Sequence, residues 1–138
     1  MNIQPYLFFD TQCAEAMRFY EETLRGKLDL MPFSSMPDFD KHFPPEMADR
    51  VLHANLVVGD QVIMASDHGA CTAYEGMKGF SVTLTYPEVA EAERVFNAFA
   101  EGGEVTMPFA ETFWVERFGM VKDRFGTPWS INGGALKV

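Results

Sequence analysis

His53 and Asn55 stand two residues apart in the run 52–58, where Leu52, Ala54, Leu56 and Val58 alternate with them. In an extended chain that spacing puts the imidazole and the amide on one face and the apolar residues on the other. An imidazole titrates close to working pH, so His53 is the candidate catalytic residue. It could act as a hydrogen-bond donor or as a general base, or be only a hydrogen-bonded histidine beside a sheet. A second constellation joins Trp114, Phe113 and Arg117. An aromatic pair beside a guanidinium can bind a planar or anionic ligand by stacking and a bidentate contact. The same residues can equally anchor a loop, with Arg117 paired to Glu116 or another surface acid. Ser81, Thr83, Ser130 and Asn132 also alternate with apolar neighbours, and with His53 and Asn55 they would line a neutral polar pocket. His42 and His68 fall in loops and read as solvated.

Several chemistries are excluded by what the chain lacks. No spacing suggests a paired carboxylate or a Ser-His-Asp arrangement. Gly102-Gly103 follows a helix and does not open one, so it is not a phosphate-binding turn.

The elements that position these residues come in two similar sets. Residues 3–9 form an apolar run of strand length, expected to be buried on both faces. Asp10 or Thr11 can cap a helix whose buried face is Cys13, Ala16, Met17, Tyr20 and Leu24, closed by Gly26. A strand over 27–33 follows, then the proline-rich segment 34–50, a long loop that is either a lid or an idle excursion. Gly59-Asp60 turns the strand 52–58 into 62–65, giving a hairpin. Residues 66–79 cross over to a second set. There 80–85 is a strand, Thr85 and Glu88 form a capping box, and Val89, Ala92, Val95, Phe96 and Phe99 make a helix face. Strand 104–108 and a closing hairpin, 118–122 and 129–132 around Gly126, complete it. The order strand, helix, three strands is therefore written twice.

At 138 residues this is one domain by length, burying about 68% of the surface its unfolded chain exposes. Net charge is −9, which disfavours nucleic acid and anionic membranes, and the eleven Lys and Arg are scattered. There is no apolar run long enough to span a bilayer and no export signal, so a cytoplasmic location is expected. In that reducing compartment Cys13 and Cys71 are expected to be thiols without a disulfide.

The motif FGMVKDRFGTPWSI, with a Trp just upstream, resembles the closing hairpin of the glyoxalase/bleomycin-resistance/dioxygenase (vicinal oxygen chelate) superfamily. PYLFFDTQCAEAMRFYEETLRG and HANLVVGDQVIMASD resemble two further signatures of its PhnB-like branch, in the right order and over about half the chain together with the hairpin. The resemblance implies an α+β fold of two βαβββ modules, 1–68 and 78–138. They would form an open, mostly antiparallel half-barrel with helices outside and a cleft within. It also implies a homodimer. Metal-dependent members place His or Glu at cleft positions on the first strand and near the end of each half. Carried over, those positions hold Ile3, Pro5 or Leu7, then Phe80 or Ser81, and Ser130, four residues after Gly126. None is a normal ligand for a divalent ion, so no metal and no cofactor are expected.

The expected function is a metal-free PhnB-like protein that binds a small organic ligand in the cleft, whether or not it catalyses a reaction. The alternatives are a metal-dependent lyase, isomerase or dioxygenase, or a non-catalytic structural or partner-binding dimer. Relatives are also labelled as demethylubiquinone methyltransferase domains. Methyl transfer from S-adenosylmethionine usually needs a glycine-rich turn after the first strand, and none follows residues 3–9.

Overall fold

The computed structural model describes residues 1–68 and 73–137. The backbone divides into two compact units, Met1–Gly76 and Met77–Val138. Unit one runs β1 (Tyr6–Phe9), α1 (Cys13–Leu24), β2 (Lys27–Pro32), β3 (Val51–Val58) and β4 (Gln61–Asp67), with a short helix α2 (Phe39–His42) between β2 and β3. Unit two runs β5 (Val82–Tyr86), α3 (Val89–Ala100), β6 (Glu104–Ala110), β7 (Val115–Lys122) and β8 (Pro128–Leu136). Each sheet has four strands, ordered β1-β4-β3-β2 and β5-β8-β7-β6. The first strand of each unit pairs in parallel with the last, and the other pairings are antiparallel. The fold is α+β, built of two βαβββ units.

The helices form where the apolar spacing demands. α1 buries Cys13, Ala16, Met17, Tyr20, Thr23 and Leu24, and packs against β2, β3 and β4. α3 buries Ala92, Val95, Phe96 and Phe99; the Phe99 ring stacks on Trp129 of β8 at 4.5 Å. Stacking of that kind adds about 0.5–1.5 kcal/mol beyond the area buried. The predicted alternation in the closing hairpin holds: Trp129 and Ile131 are fully buried toward α3.

The expected burial of the first strand on both faces is wrong. Leu7 and Phe9 are buried, while Tyr6 is 37% and Phe8 52% exposed. The strand begins at Tyr6, so Ile3 lies outside it. β1 is an edge strand with α1 on only one side, so only one parity can be covered.

Neither helix is capped as predicted. Thr11 has φ 70°, and neither Asp10 nor Thr11 accepts a capping hydrogen bond; the Cys13 N–H instead donates to Asp67 Oδ1 at 2.9 Å. Thr85 lies in β5 and Glu88 makes no side-chain cap, so no capping box forms. Gly26 closes α1 for a different reason than a left-handed turn. Arg25 holds the left-handed conformation, and a Cβ on Gly26 would stand 2.6 Å from the Val57 carbonyl oxygen. Gly103 repeats this in unit two, where a Cβ would meet the Lys122 oxygen at 2.5 Å.

The 34–50 segment is neither bare nor loose. Phe33 N–H donates to Arg50 O and Ser34 N–H to Ala48 O, tying its ends together. Phe43 packs on Phe33 and Phe39, and Met47 is buried. Cys13 is a buried free thiol; its expected lack of a disulfide to Cys71 falls outside the described residues. No helix among the described residues is long and apolar enough to cross a membrane.

Candidate functional site

On the first sheet, α1 covers the side that buries Leu7, Phe9, Ala54 and Leu56. Alternation then puts Tyr6 and Phe8 of β1 and His53 and Asn55 of β3 on the other side, with β4 between them. The Tyr6 side chain reaches across, and its hydroxyl lies 3.2 Å from His53 Nδ1. Tyr6 also packs against Phe8, with ring centroids 5.0 Å apart. Asn55 sits opposite Asp29 of β2 and Met64 of β4.

Beyond Phe8 the surface dips into a pocket of about 590 Å³ lined by Phe8, His68, Ala73, Tyr74, Glu75 and Gly76. The Tyr74 hydroxyl donates to the Phe8 carbonyl at 2.7 Å, and its ring lies 5.8 Å from that of His68. Burial first, and the Asp10 carboxylate second, push the Tyr74 phenol above its ordinary value. It therefore stays protonated and keeps that hydrogen bond at neutral pH. His68 is half-buried in the pocket wall, which corrects its reading as a solvated loop residue.

In unit two the side of the sheet away from α3 carries Ser81, Thr83, Ser130 and Asn132. Thr83 faces Ser130 across the parallel pair, and the Ser81 and Ser130 hydroxyls lie 2.7 Å apart. Asn132 Nδ2 donates to Thr85 Oγ1 at 3.3 Å. Trp114 packs edge-on against Phe118, which pairs with Asn132. Trp114 thus joins the serine and threonine face from its margin. Arg117 falls on the opposite parity from Phe118. It is half-exposed, donates to the Glu116 carbonyl and lies 3.8 Å from Glu111.

Unit one therefore gathers His53 with Asn55, and unit two gathers Ser81, Thr83, Ser130 and Asn132 beside Trp114. Tyr6, Phe8 and Tyr74 are the residues that sequence reasoning missed. The sequence held no signal for the first two, because residues 6–9 are all apolar or aromatic and only their burial separates Leu7 and Phe9 from Tyr6 and Phe8. The resemblance implies a cleft-facing Leu7, but Leu7 is buried on the α1 side, and a one-residue slip exchanges the faces. Among the described residues, no three His, Cys, Asp or Glu side chains are grouped to hold a metal ion.

The profile of the 3-demethylubiquinone-9 3-methyltransferase family matches residues 1–132. The chain belongs to that family. This is the PhnB-like branch the sequence resembles. Among members and relatives, protein YjdN of Escherichia coli is 34% identical over 140 residues, covering 96% of this chain and 95% of YjdN. The crystal structure of PA1353 from Pseudomonas aeruginosa is 45% identical, with a TM-score of 0.89 over 97% of this chain and 98% of that one. The fold is also that of a glyoxalase/bleomycin resistance protein/dioxygenase family enzyme from Burkholderia phytofirmans. That structure matches at a TM-score of 0.64 and 15% identity over 96% of this chain and 97% of its own. That likeness is one of fold, and it is the fold that the closing hairpin implied.

Proposed function

We propose that this family member binds a small organic molecule against the aromatic and histidine side chains that the first sheet leaves uncovered, and that it does so without a metal. The carrying observation is the pocket of about 590 Å³ beside Phe8, walled by His68 and Tyr74. Its volume lies in the range of small-molecule sites, and exposed aromatic side chains around a concavity are what such sites use. His53, with Asn55, is the candidate for polar recognition or for acid/base work; no catalytic residue is assigned beyond it.

The metal-free reading rests on side-chain chemistry. Of the positions that the resemblance implies for metal ligands, the second half offers Phe80 or Ser81 and then Ser130, and the Ser81 and Ser130 hydroxyls hydrogen-bond each other. Neutral serine hydroxyls are poor ligands for divalent transition ions. A metal-dependent lyase, isomerase or dioxygenase is thereby disfavoured. Methyl transfer, which the family's name describes, finds no support in the passage from β1 to α1, where Asp10, Thr11 and Gln12 include no glycine. The net charge of −9 argues against nucleic acid and anionic membranes and accords with a cytoplasmic protein. A homodimer is part of the reading, supported by exposed Met31, Val57, Val105 and Met107. A purely structural dimer is the competing view.

The test combines metal analysis of the purified protein with thermal shift against a panel of aromatic fragments. We expect well under one equivalent of Zn, Mn, Ni or Fe per chain. We also expect at least one fragment to stabilise the protein, by about 2.7 kcal/mol at 100 times its Kd, with the shift lost in Phe8→Ala. A stoichiometric metal, or no stabilising fragment at all, overturns the reading.

A further inference from the structure

Tyr6 and His53 belong to strands separated by β4, yet the phenol hydroxyl lies 3.2 Å from Nδ1. Of the two ways to make this bond, the phenol is the better donor and the unprotonated imidazole nitrogen the better acceptor. With Tyr6 donating to Nδ1, the neutral ring must carry its proton on Nε2. Nε2 has no hydrogen-bond partner among the described residues. The one buried side-chain polar atom without a partner there is Asn132 Oδ1, so Nε2 is not buried. The ring therefore offers an N–H to whatever rests on this face.

The surroundings narrow the class of molecule. Tyr6 and Phe8 supply an exposed aromatic surface, with Met31 opposite His53 on β2. Asp29 stands across from Asn55, and the whole chain is strongly acidic, so a full negative charge is disfavoured there. We infer that Tyr6 is a positioning residue that fixes His53 as an Nε2–H donor. The face then selects a flat apolar molecule bearing a neutral carbonyl oxygen. This rests on the small-molecule reading above and specifies its ligand.

The experiment uses long-range ¹⁵N–¹H correlation spectra of the histidine ring in the full chain, with acetophenone as the neutral carbonyl probe and benzoate as its anionic counterpart. In the unaltered protein near pH 8, His53 is expected in the Nε2–H form. Acetophenone is expected to shift the Nε2 resonance, and benzoate at the same concentration to shift it far less. Tyr6→Phe keeps the ring and removes the donor. It should move a measurable share of His53 to the Nδ1–H form and weaken acetophenone binding roughly 3- to 10-fold, as loss of a neutral hydrogen bond does. If Tyr6→Phe proves unfolded by its amide spectrum, His53→Gln serves instead: it keeps a side-chain donor and should retain the preference for acetophenone. An Nδ1–H form in the unaltered protein, an unchanged tautomer in Tyr6→Phe, an equal response to benzoate, or loss of the preference in His53→Gln overturns the inference. Fragments that perturb Phe8 and Tyr74 but leave His53 untouched would sink this inference while leaving the small-molecule reading standing.

Discussion

Beside Tyr6, Phe8, Met31 and Val57 unit one sets a histidine and an amide, His53 and Asn55, whereas beside Phe118 and Met120 unit two sets hydroxyls and an amide, Ser81, Thr83, Ser130 and Asn132, on the corresponding side. The strand order, the parallel first-to-last pairing and the single covering helix are the same in both. What the units share is fixed by the backbone, as in the contact of Gly26 with the Val57 carbonyl and of Gly103 with the Lys122 carbonyl. What they do not share is the side chains that the backbone leaves uncommitted. On the proposed function, recognition of a ligand would fall to the parts in which the copies have diverged.

The two units also hold their turns with buried carboxylates used differently. Asp123 accepts the Phe125 and Thr127 N–H groups and the Trp129 indole N–H, all within its own hairpin. Asp67 accepts from Cys13 and Val51, binding the start of α1 to the start of β3. Asp123→Ala strands three buried donors and should cost about 3–5 kcal/mol in urea unfolding. Asp67→Ala strands two and should cost about 2–4 kcal/mol. If Asp67→Ala proves the costlier, the carboxylate bridging distant segments matters more than the one that organises a turn.

Gly103→Ala and Gly26→Ala come next, each expected to lose about 1–3 kcal/mol because the new methyl meets a carbonyl oxygen that cannot move alone. Clearly unequal losses would break the claim that the two sites are the same device. A smaller effect separates the residues just before them. Arg25 has φ 58° where Gly102 has φ 73°. Arg25→Gly should therefore raise stability by up to about 1 kcal/mol, and Gly102→Ala should lower it by a similar amount.

Cys13 gives the smallest effect at neutral pH and one peculiar to unit one. Burial, and after it the Asp67 carboxylate, push its thiol from 9.0 to about 12. The unfolded thiol ionises first as pH rises, so its contribution is complete below about 9 and is lost progressively toward 12. Cys13→Ala should flatten that alkaline decline in the difference between the two unfolding curves, and native Cys13 should resist alkylation at pH 8.

The parts legible in the sequence were those that local periodicity controls. The helix face from Cys13 to Leu24 and the Trp129 and Ile131 alternation follow from spacing alone. The cap of α1 was not legible because its acceptor, Asp67, is remote in sequence. The facing of Tyr6 and Phe8 was hidden for another reason: every residue from Tyr6 to Phe9 is apolar or aromatic, so composition carries no alternation to read. The 34–50 segment concealed its order because aromatic packing of Phe33, Phe39 and Phe43 has no regular period. His53 and Asn55 share one face of β3, as their spacing requires, but the Tyr6 hydroxyl beside His53 comes from a strand two places away in the sheet.

The parallel seam between β1 and β4 bears on how the chain is made. Tyr6 finds its register partner only at Met64, and Val82 only at Trp129. On the ribosome the earliest strand of each half emerges long before its neighbour exists, and closing so wide a loop is slow. The first strand synthesised in each half therefore waits for the last strand of that half before its backbone can pair.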